Sequence, residues 1–265
     1  MAKIHVGTMG WGYSDWQGVF YEKGLPARDQ LSHYSKVLNS VEIDSTHYAA
    51  PIKEIVARWH DSVPEDFVFC AKVPRAITHE MRLRHSSAQA LAGFVETISV
   101  LGSKLGPLLL QFPADFTRAE LQSLEAFVPR LAELSPGFRF AMEFRHISLL
   151  QPDVTELLRT SNIAQVAADY KGLSRRYEVT TDFVYMRLLG THGTYASKIR
   201  RQGDRTADLQ VWSNCLLSSL DRIKTAYVYC NNDYEGFSPN TCHRIKGMLG
   251  IDSCELPSVQ QPSLF

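Results

Sequence analysis

Cysteine is scarce in this chain, and its spacing is unpaired. The five cysteines among 265 residues (Cys70, Cys215, Cys230, Cys242 and Cys254) are scattered, with no C-x-x-C. That argues against a disulfide framework and a structural zinc site, and reduced thiols in the cytoplasm are the expectation. Long apolar runs are missing as well. The longest, around Leu108 to Phe112, falls far short of the roughly 20 residues of a membrane span. Met1 to Gly7 enters a strand pattern directly, without the apolar core of a signal peptide. Net charge is absent too, since 28 lysines and arginines balance 28 aspartates and glutamates. No bulk basic field therefore advertises nucleic acid or an anionic membrane.

What is present is a repeated alternation of short apolar strands and helical patterns. In Phe140-Ala141-Met142-Glu143-Phe144-Arg145-His146 the large apolar residues alternate with Ala141, Glu143 and Arg145, the period of a strand. Similar strands are expected at Lys3 to Gly7, Val41 to Asp44, Phe67 to Lys72, Pro107 to Gln111, Ile163 to Asp169, Phe183 to Leu189 and Ala226 to Asn231. Helical spacing lies between them, for example Ile52, Ile55, Val56, Trp59 and Val63, or Leu209, Trp212, Leu216, Leu220 and Ile223. Ser86 with Gln89 and Thr117 with Glu120 have capping-box spacing. Thr206 is placed as a helix cap, and Pro129 predicts a kink or a restart. Lys171 to Thr181 lacks helical spacing, so the sixth crossover is expected to be vestigial.

Eight such units in this length predict a single (β/α)8 TIM-type barrel over residues 1–255, with a flexible tail over 256–265. A doubly wound open sheet is the alternative. Its nucleotide fingerprint is missing, because Gly7, Gly10 and Gly12 do not form G-x-G-x-x-G.

In a closed barrel, alternate side chains point inward. With the bulkier apolar positions facing the helices, the inward strand ends carry His5, Gly7, Glu42, Asp44, Lys72, Gln111, Glu143, Arg145, Asp169, Arg187 and Asn231. Charges are seldom buried without partners, so this ring describes either a polar mouth built for chemistry or a network of ion pairs. Lys72, Arg75, Arg82 and Arg84 in one loop, and Lys198, Arg200, Arg201 and Arg205 in another, would make that mouth basic. Solvated basic loops are the plainer reading. Trp11, Tyr13, Trp16, Phe20 and Tyr21 would stack on a ring or base, or plug one end of the barrel.

Several of these segments together resemble the YecE-like family, domain of unknown function 72, over nearly the whole chain. They include Gly7-Thr8-Met9-Gly10-Trp11 with Asp15-Trp16, Val41 to Tyr48, and Lys72-Val73-Pro74-Arg75 with Thr78-His79. Leu109 to Pro113, Glu143 to His146, Arg187 to Gly190 and Tyr229 to Asn232 complete the set. The resemblance implies a TIM-type barrel and supplies no reaction. Asp44, His47 and Leu189 depart from that family's usual asparagine, phenylalanine and histidine.

Three functions follow as expectations. The first is an acid/base enzyme, of hydrolase or lyase type, on an anionic, phosphate-bearing substrate, with nucleic acid among the candidates. Its catalytic residues would be Glu143, Lys72 and Glu42, with Arg75, Arg145, Arg187, Gln111, Asn231, Trp11 and His79 binding substrate. Lys72 could alternatively form a Schiff base if burial depressed its pKa, although an ion pair is the plainer state. The second is a divalent-metal-dependent hydrolase using Glu42, Asp44, Glu143, His146 and Asp169, although no H-E-x-x-H or similar ligand motif is present. The third is a non-catalytic protein tethered to a sliding clamp through Gln261, Leu264 and Phe265, because Gln-Pro-Ser-Leu-Phe resembles the clamp-binding pentapeptide.

Overall fold

The structure, a computed structural model, describes residues 2–84 and 86–251. The expected boundary at 255/256 and the clamp-like pentapeptide both lie outside the described residues.

Nine parallel strands form one sheet: β1 Lys3–Met9, β2 Ser40–Ile43, β3 Val68–Lys72, β4 Leu105–Gln111, β5 Phe140–Glu143, β6 Ala164–Gln165, β7 Ala167–Tyr170, β8 Phe183–Gly190 and β9 Thr225–Cys230. Their order is β6-β5-β4-β3-β2-β1-β9-β8-β7. The two edge strands are consecutive in the chain, with Val166 alone between them, so the sheet is nearly closed into the expected barrel. β6 and β7 together occupy the place of the sixth strand. Ala164 and Gln165 pair with β5, the Val166 N–H still donates to Met142 O at 2.9 Å, and from Ala167 onward the pairing passes to β8.

The helices are α1 Ala27–Tyr34, α2 Lys53–Asp61, α3 Ser87–Ile98, α4 Leu121–Phe127, α5 Leu131–Leu134, α6 Pro152–Thr160, α7 Thr206–Leu217, α8 Asn232–Glu235 and α9 Ser238–Met248. Long helices bury the stripe that their spacing predicts, such as Leu91, Phe94 and Ile98 on α3 or Leu209, Trp212 and Leu216 on α7, whereas of the expected α2 stripe Val56 is buried, Ile55 and Trp59 are partly buried and Ile52 is exposed. Each fully buried side chain of this kind contributes roughly 1.5–3 kcal/mol. Pro129 ends α4, and the chain restarts as α5 after one 3-10 turn.

The Thr117 box forms, with Thr117 Oγ1 accepting from the Ala119 N–H at 3.3 Å and Glu120 Oε2 from the Thr117 N–H at 3.0 Å. The Ser86 box does not form. Ser86 has ψ of 8° rather than an extended backbone, and no side-chain cap bond is made. At α7 the capping oxygen comes from Asp204, which accepts from the Thr206 N–H at 3.0 Å, and not from Thr206 itself.

Two apolar layers follow from strand parity. Val6, Ile43, Phe69, Leu110, Met142 and Val228 face the helices, whereas Met9, Cys70, Leu109, Ala141, Tyr185 and Tyr229 fill the barrel interior. The Trp16, Phe20 and Tyr21 rings belong to the outer layer and are buried against one another and against Tyr34 and Phe237. They are core, which corrects the expected stacking platform.

Gly190 ends β8 with φ of +70°, and a Cβ there would lie 2.1 Å from Asp233 O. Gly190→Ala is expected to cost about 1–3 kcal/mol through left-handed strain and backbone overlap. An unchanged thermal midpoint in the purified variant would refute that account.

Candidate active site

The strand ends converge as parity requires, and the convergence has two levels. The lower level is a closed ionic cluster built around Arg187 on β8. Its Nη2 and Nε donate to the Glu42 carboxylate at 2.7 and 3.0 Å, and its Nη1 donates to Glu143 Oε2. Tyr185 adds a bond of 2.7 Å to Glu42 Oε2, and Arg145 Nε donates to Glu143 Oε1 at 2.7 Å. Both carboxylates are fully buried. Burial alone would raise the Glu143 pKa, but Arg187 and Arg145 outweigh it and hold the group near 2. Glu143 is therefore an ionised carboxylate with both oxygens occupied, a poor fit to the expected general acid or base. It holds two arginines in place.

Above the cluster opens a cavity of about 570 Å³ lined by Asp44, His47, Lys72, His79, Gln111, Arg145, Tyr170, Arg187, Asn231 and others of the rim. Lys72 ends β3 pointing inward, and its Nζ lies 3.1 Å from Asp44 Oδ1. Burial and the neighbouring Arg187 lower the Lys72 pKa, against the opposing pull of Asp44, Glu42 and Glu143. Burial pushes the Asp44 pKa up, but Lys72 and Arg187 outweigh it, so Asp44 stays ionised.

His47 and His79 stand ring to ring, with centroids 4.9 Å apart. Burial and nearby positive charge (Lys72 beside His47; His47 and Lys72 beside His79) lower both pKa values to about 4. Both rings are neutral at pH 7. His47 Nδ1 lies 3.2 Å from Val73 O, a carbonyl, so Nδ1 carries the proton and Nε2 is left as an acceptor.

Of the ten residues expected at the site, Lys72, Arg145, Arg187, Gln111, Asn231 and His79 line this cavity, and Glu42 and Glu143 lie directly beneath it. Two lie elsewhere. Arg75 is half exposed and faces Glu80 at 3.4 Å, while Trp11 packs edge-on against Trp59 in a groove beside α1 and α2. Asn231 also caps α8, its Oδ1 accepting from the Asp233 N–H at 2.8 Å.

Asp169 is the clear misplacement. It faces outward, accepting from Arg205 at 3.1 Å, Trp212 Nε1 at 3.0 Å and Tyr234 at 2.9 Å, and Tyr170 takes the inward position at the rim. Asp44, His47, Tyr170, His192 and Asp233 were not assigned to substrate by spacing. Strand parity counted from Ile163 outward would have exposed Tyr170.

The expected metal site does not assemble. Glu42 and Glu143 are spent on arginines, Asp169 is turned away, and His146 Nδ1 bonds Ser148. Among the described residues no group of three His, Cys, Asp or Glu is placed to hold an ion.

The basic loops are also partly neutralised. Arg82 pairs with Glu120 at 2.6 Å, Lys198 with Asp233 at 2.6 Å and Arg205 with Asp208 at 2.6 Å. Among the described residues the cysteines are free, and no helix is long and apolar enough to cross a membrane.

Comparison with known proteins agrees with the barrel fold. The UPF0759 protein YecE of Escherichia coli K12 is 34% identical over 144 residues, which is 54% of this chain and 48% of that protein. The chain thus matches about half the length of that curated relative. A DUF72 family crystal structure from Thermotoga maritima superposes with a TM-score of 0.78 at 26% identity, covering 94% of this chain and 99% of that one. A second, from Enterococcus faecalis, gives 0.74 at 22% identity, covering 95% and 99%. The family model described as "Protein of unknown function DUF72" matches residues 5–263, so the chain belongs to the DUF72 family of YecE-like barrels.

Proposed function

We propose that the cavity is the active site of an acid/base enzyme acting on a small anionic substrate that bears a phosphate or carboxylate. The observation that carries this reading is the floor of the cavity. There Lys72 and Asp44 stand 3.1 Å apart beside Arg145 and Arg187. Arg145 donates only its Nε inward to Glu143, and its two Nη groups bond to no described residue, so they are available to fork onto an anion. Arg187 already donates to both buried carboxylates and contributes chiefly its charge.

Proton transfer then falls to the Lys72–Asp44 pair and to the neutral His47 and His79, while Glu42 and Glu143 serve as positioning residues. The volume suits a small molecule. Arg82, Lys198 and Arg205 are held in internal ion pairs, which lessens the positive charge these loops offer a nucleic-acid backbone.

Calorimetric titration with inorganic phosphate, simple carboxylates, phosphorylated metabolites and an oligonucleotide tests this reading. Arg145→Gln is expected to weaken small-anion binding by about tenfold to a hundredfold, the worth of charge-assisted hydrogen bonds. Asp44→Asn is expected to retain binding and lose turnover on whichever anion binds. Anion binding that is absent, or indifferent to Arg145→Gln, would refute the proposal.

A further inference from the structure

Lys72 is the one lysine on the cavity floor; the other lysine lining the cavity, Lys171, is exposed at its rim. The Lys72 side chain is 7% exposed, and its amine bonds only to Asp44 among the described residues. Two guanidiniums, those of Arg145 and Arg187, share the same floor. A buried amine crowded by cations is the arrangement that frees a lone pair at neutral pH, because burial and like charge both disfavour the ammonium. Glu42 and Glu143 occupy the two guanidiniums, so what sets Lys72 apart is a buried amine that opens onto the cavity with Asp44 as its single partner among the described residues.

We infer that Lys72 is a covalent catalyst whose amine adds to the carbonyl carbon of a small anionic aldehyde or ketone, either a 2-oxo acid or a phosphorylated sugar-sized carbonyl, and forms an imine. The inference rests on the reading of this cavity as an anion-binding active site, and it names the substrate class.

The chemistry balances with groups on the page. The Lys72 Nζ lone pair forms the N–C bond and the carbonyl π pair moves to oxygen; one nitrogen proton then passes by way of Asp44 Oδ1, the nearest base, to that oxygen and gives the neutral carbinolamine. Asp44 next takes the second nitrogen proton and delivers it to the hydroxyl, which leaves as water while the nitrogen pair closes the C=N bond. Amine plus carbonyl gives imine plus water, with no oxidant or reductant required. The Arg145 Nη groups would hold the substrate's carboxylate or phosphate, and the neutral His47 and His79 would serve the protons of any later C–H or C–C cleavage.

Reductive trapping tests the inference on the full-length wild-type chain, so no variant need fold. The protein is treated with sodium borohydride in the presence of pyruvate, of glyceraldehyde 3-phosphate or of uncharged glyceraldehyde, and peptides are then mapped by mass spectrometry. The expected result is an adduct on Lys72 with at least one charged carbonyl, roughly tenfold above Lys171. Inorganic phosphate should suppress it, and uncharged glyceraldehyde should not share the preference.

The pyruvate and triose-phosphate arms distinguish a carboxylate from a phosphate handle. Labelling of Lys171 and surface lysines with Lys72 untouched overturns the inference. If phosphate binding still depends on Arg145 in that case, the covalent step alone fails and the anion-binding reading stands. If that dependence is lost as well, both fail.

Discussion

Arg187→Met is expected to be among the most damaging substitutions this protein can suffer. The guanidinium compensates two fully buried carboxylates, Glu42 and Glu143, through three nitrogen-to-oxygen contacts, with Tyr185 and Arg145 each adding one more at their edges. Methionine of similar length fills much of the space but leaves Glu42 without its guanidinium and Glu143 with Arg145 alone. Removing one partner of a buried ion pair costs about 3–5 kcal/mol, which in a chain of this size lowers the thermal midpoint by roughly 10 °C. Neutralising the stranded anions as well, in Arg187→Met/Glu42→Gln/Glu143→Gln, should recover much of that loss, because the largest cost is the unpaired charge and not the missing contacts. Chemical denaturation of the single and triple variants checks both statements. A single variant within 1 kcal/mol of the parent, a small part of the roughly 3–5 kcal/mol expected, would show that the cluster is not held together as described.

Acidification from pH 7 to pH 5 is expected to destabilise the fold before most carboxylates titrate. His5 lies inside the barrel, stacked on Tyr227 with ring centroids 5.4 Å apart. Burial, with help from Lys3, lowers its pKa from 6.5 to about 4. His47 and His79 are lowered to the same value. The unfolded chain therefore takes up these protons first. Stability from each imidazole is fully present above pH 6.5 and is lost as pH falls toward 4.

For His5 the loss by pH 5 is about 2 kcal/mol; His47 and His79, lining the open cavity, add less because solvent screens them. A second limb follows at lower pH. Glu143 has a folded pKa near 2 against 4.5, so its contribution is present above pH 4.5 and disappears as pH falls through 2. Guanidinium melts at pH 7, 6 and 5 with His5→Gln alongside measure the upper limb. A flat profile in that interval, or an unchanged slope in the variant, would contradict it.

The barrel was legible because parity within a strand is strict. Glu42, Lys72, Gln111, Glu143 and Arg187 each sit one residue from a large apolar neighbour that had to face a helix, so their direction followed. Asp169 is misplaced by the sequence reading because Ile163 and Val166, the bulky apolar residues of its strand, lie on opposite faces. Counting from Ile163, which faces the helices, puts Asp169 on the same outer side and Tyr170 at the rim.

Chemistry was less legible than direction. A sequence lists charges but not their partners, and Glu143 looks like a catalyst until two arginines are found on its oxygens. His47 and His79 belong to irregular segments after β2 and β3, where no periodicity predicts what they face. The aromatic run from Trp11 to Tyr21 likewise gave no sign that Trp16 and Phe20 would be core and that Trp11 would lie on another face.

The sixth strand joins the ring by halves. Its first residues are fastened to one neighbour and its last to the other, with Val166 at the changeover. Circumferential tension in the hoop is therefore borne there by a short overlap rather than by two continuous ladders. The barrel has a clasp, and the clasp lies just below Tyr170 and Lys171 on the cavity rim. Any widening of the opening to admit a bulkier guest would concentrate at that point, between the strands β5 and β8 that carry Glu143 and Arg187, and would pull on the ion pair that joins them.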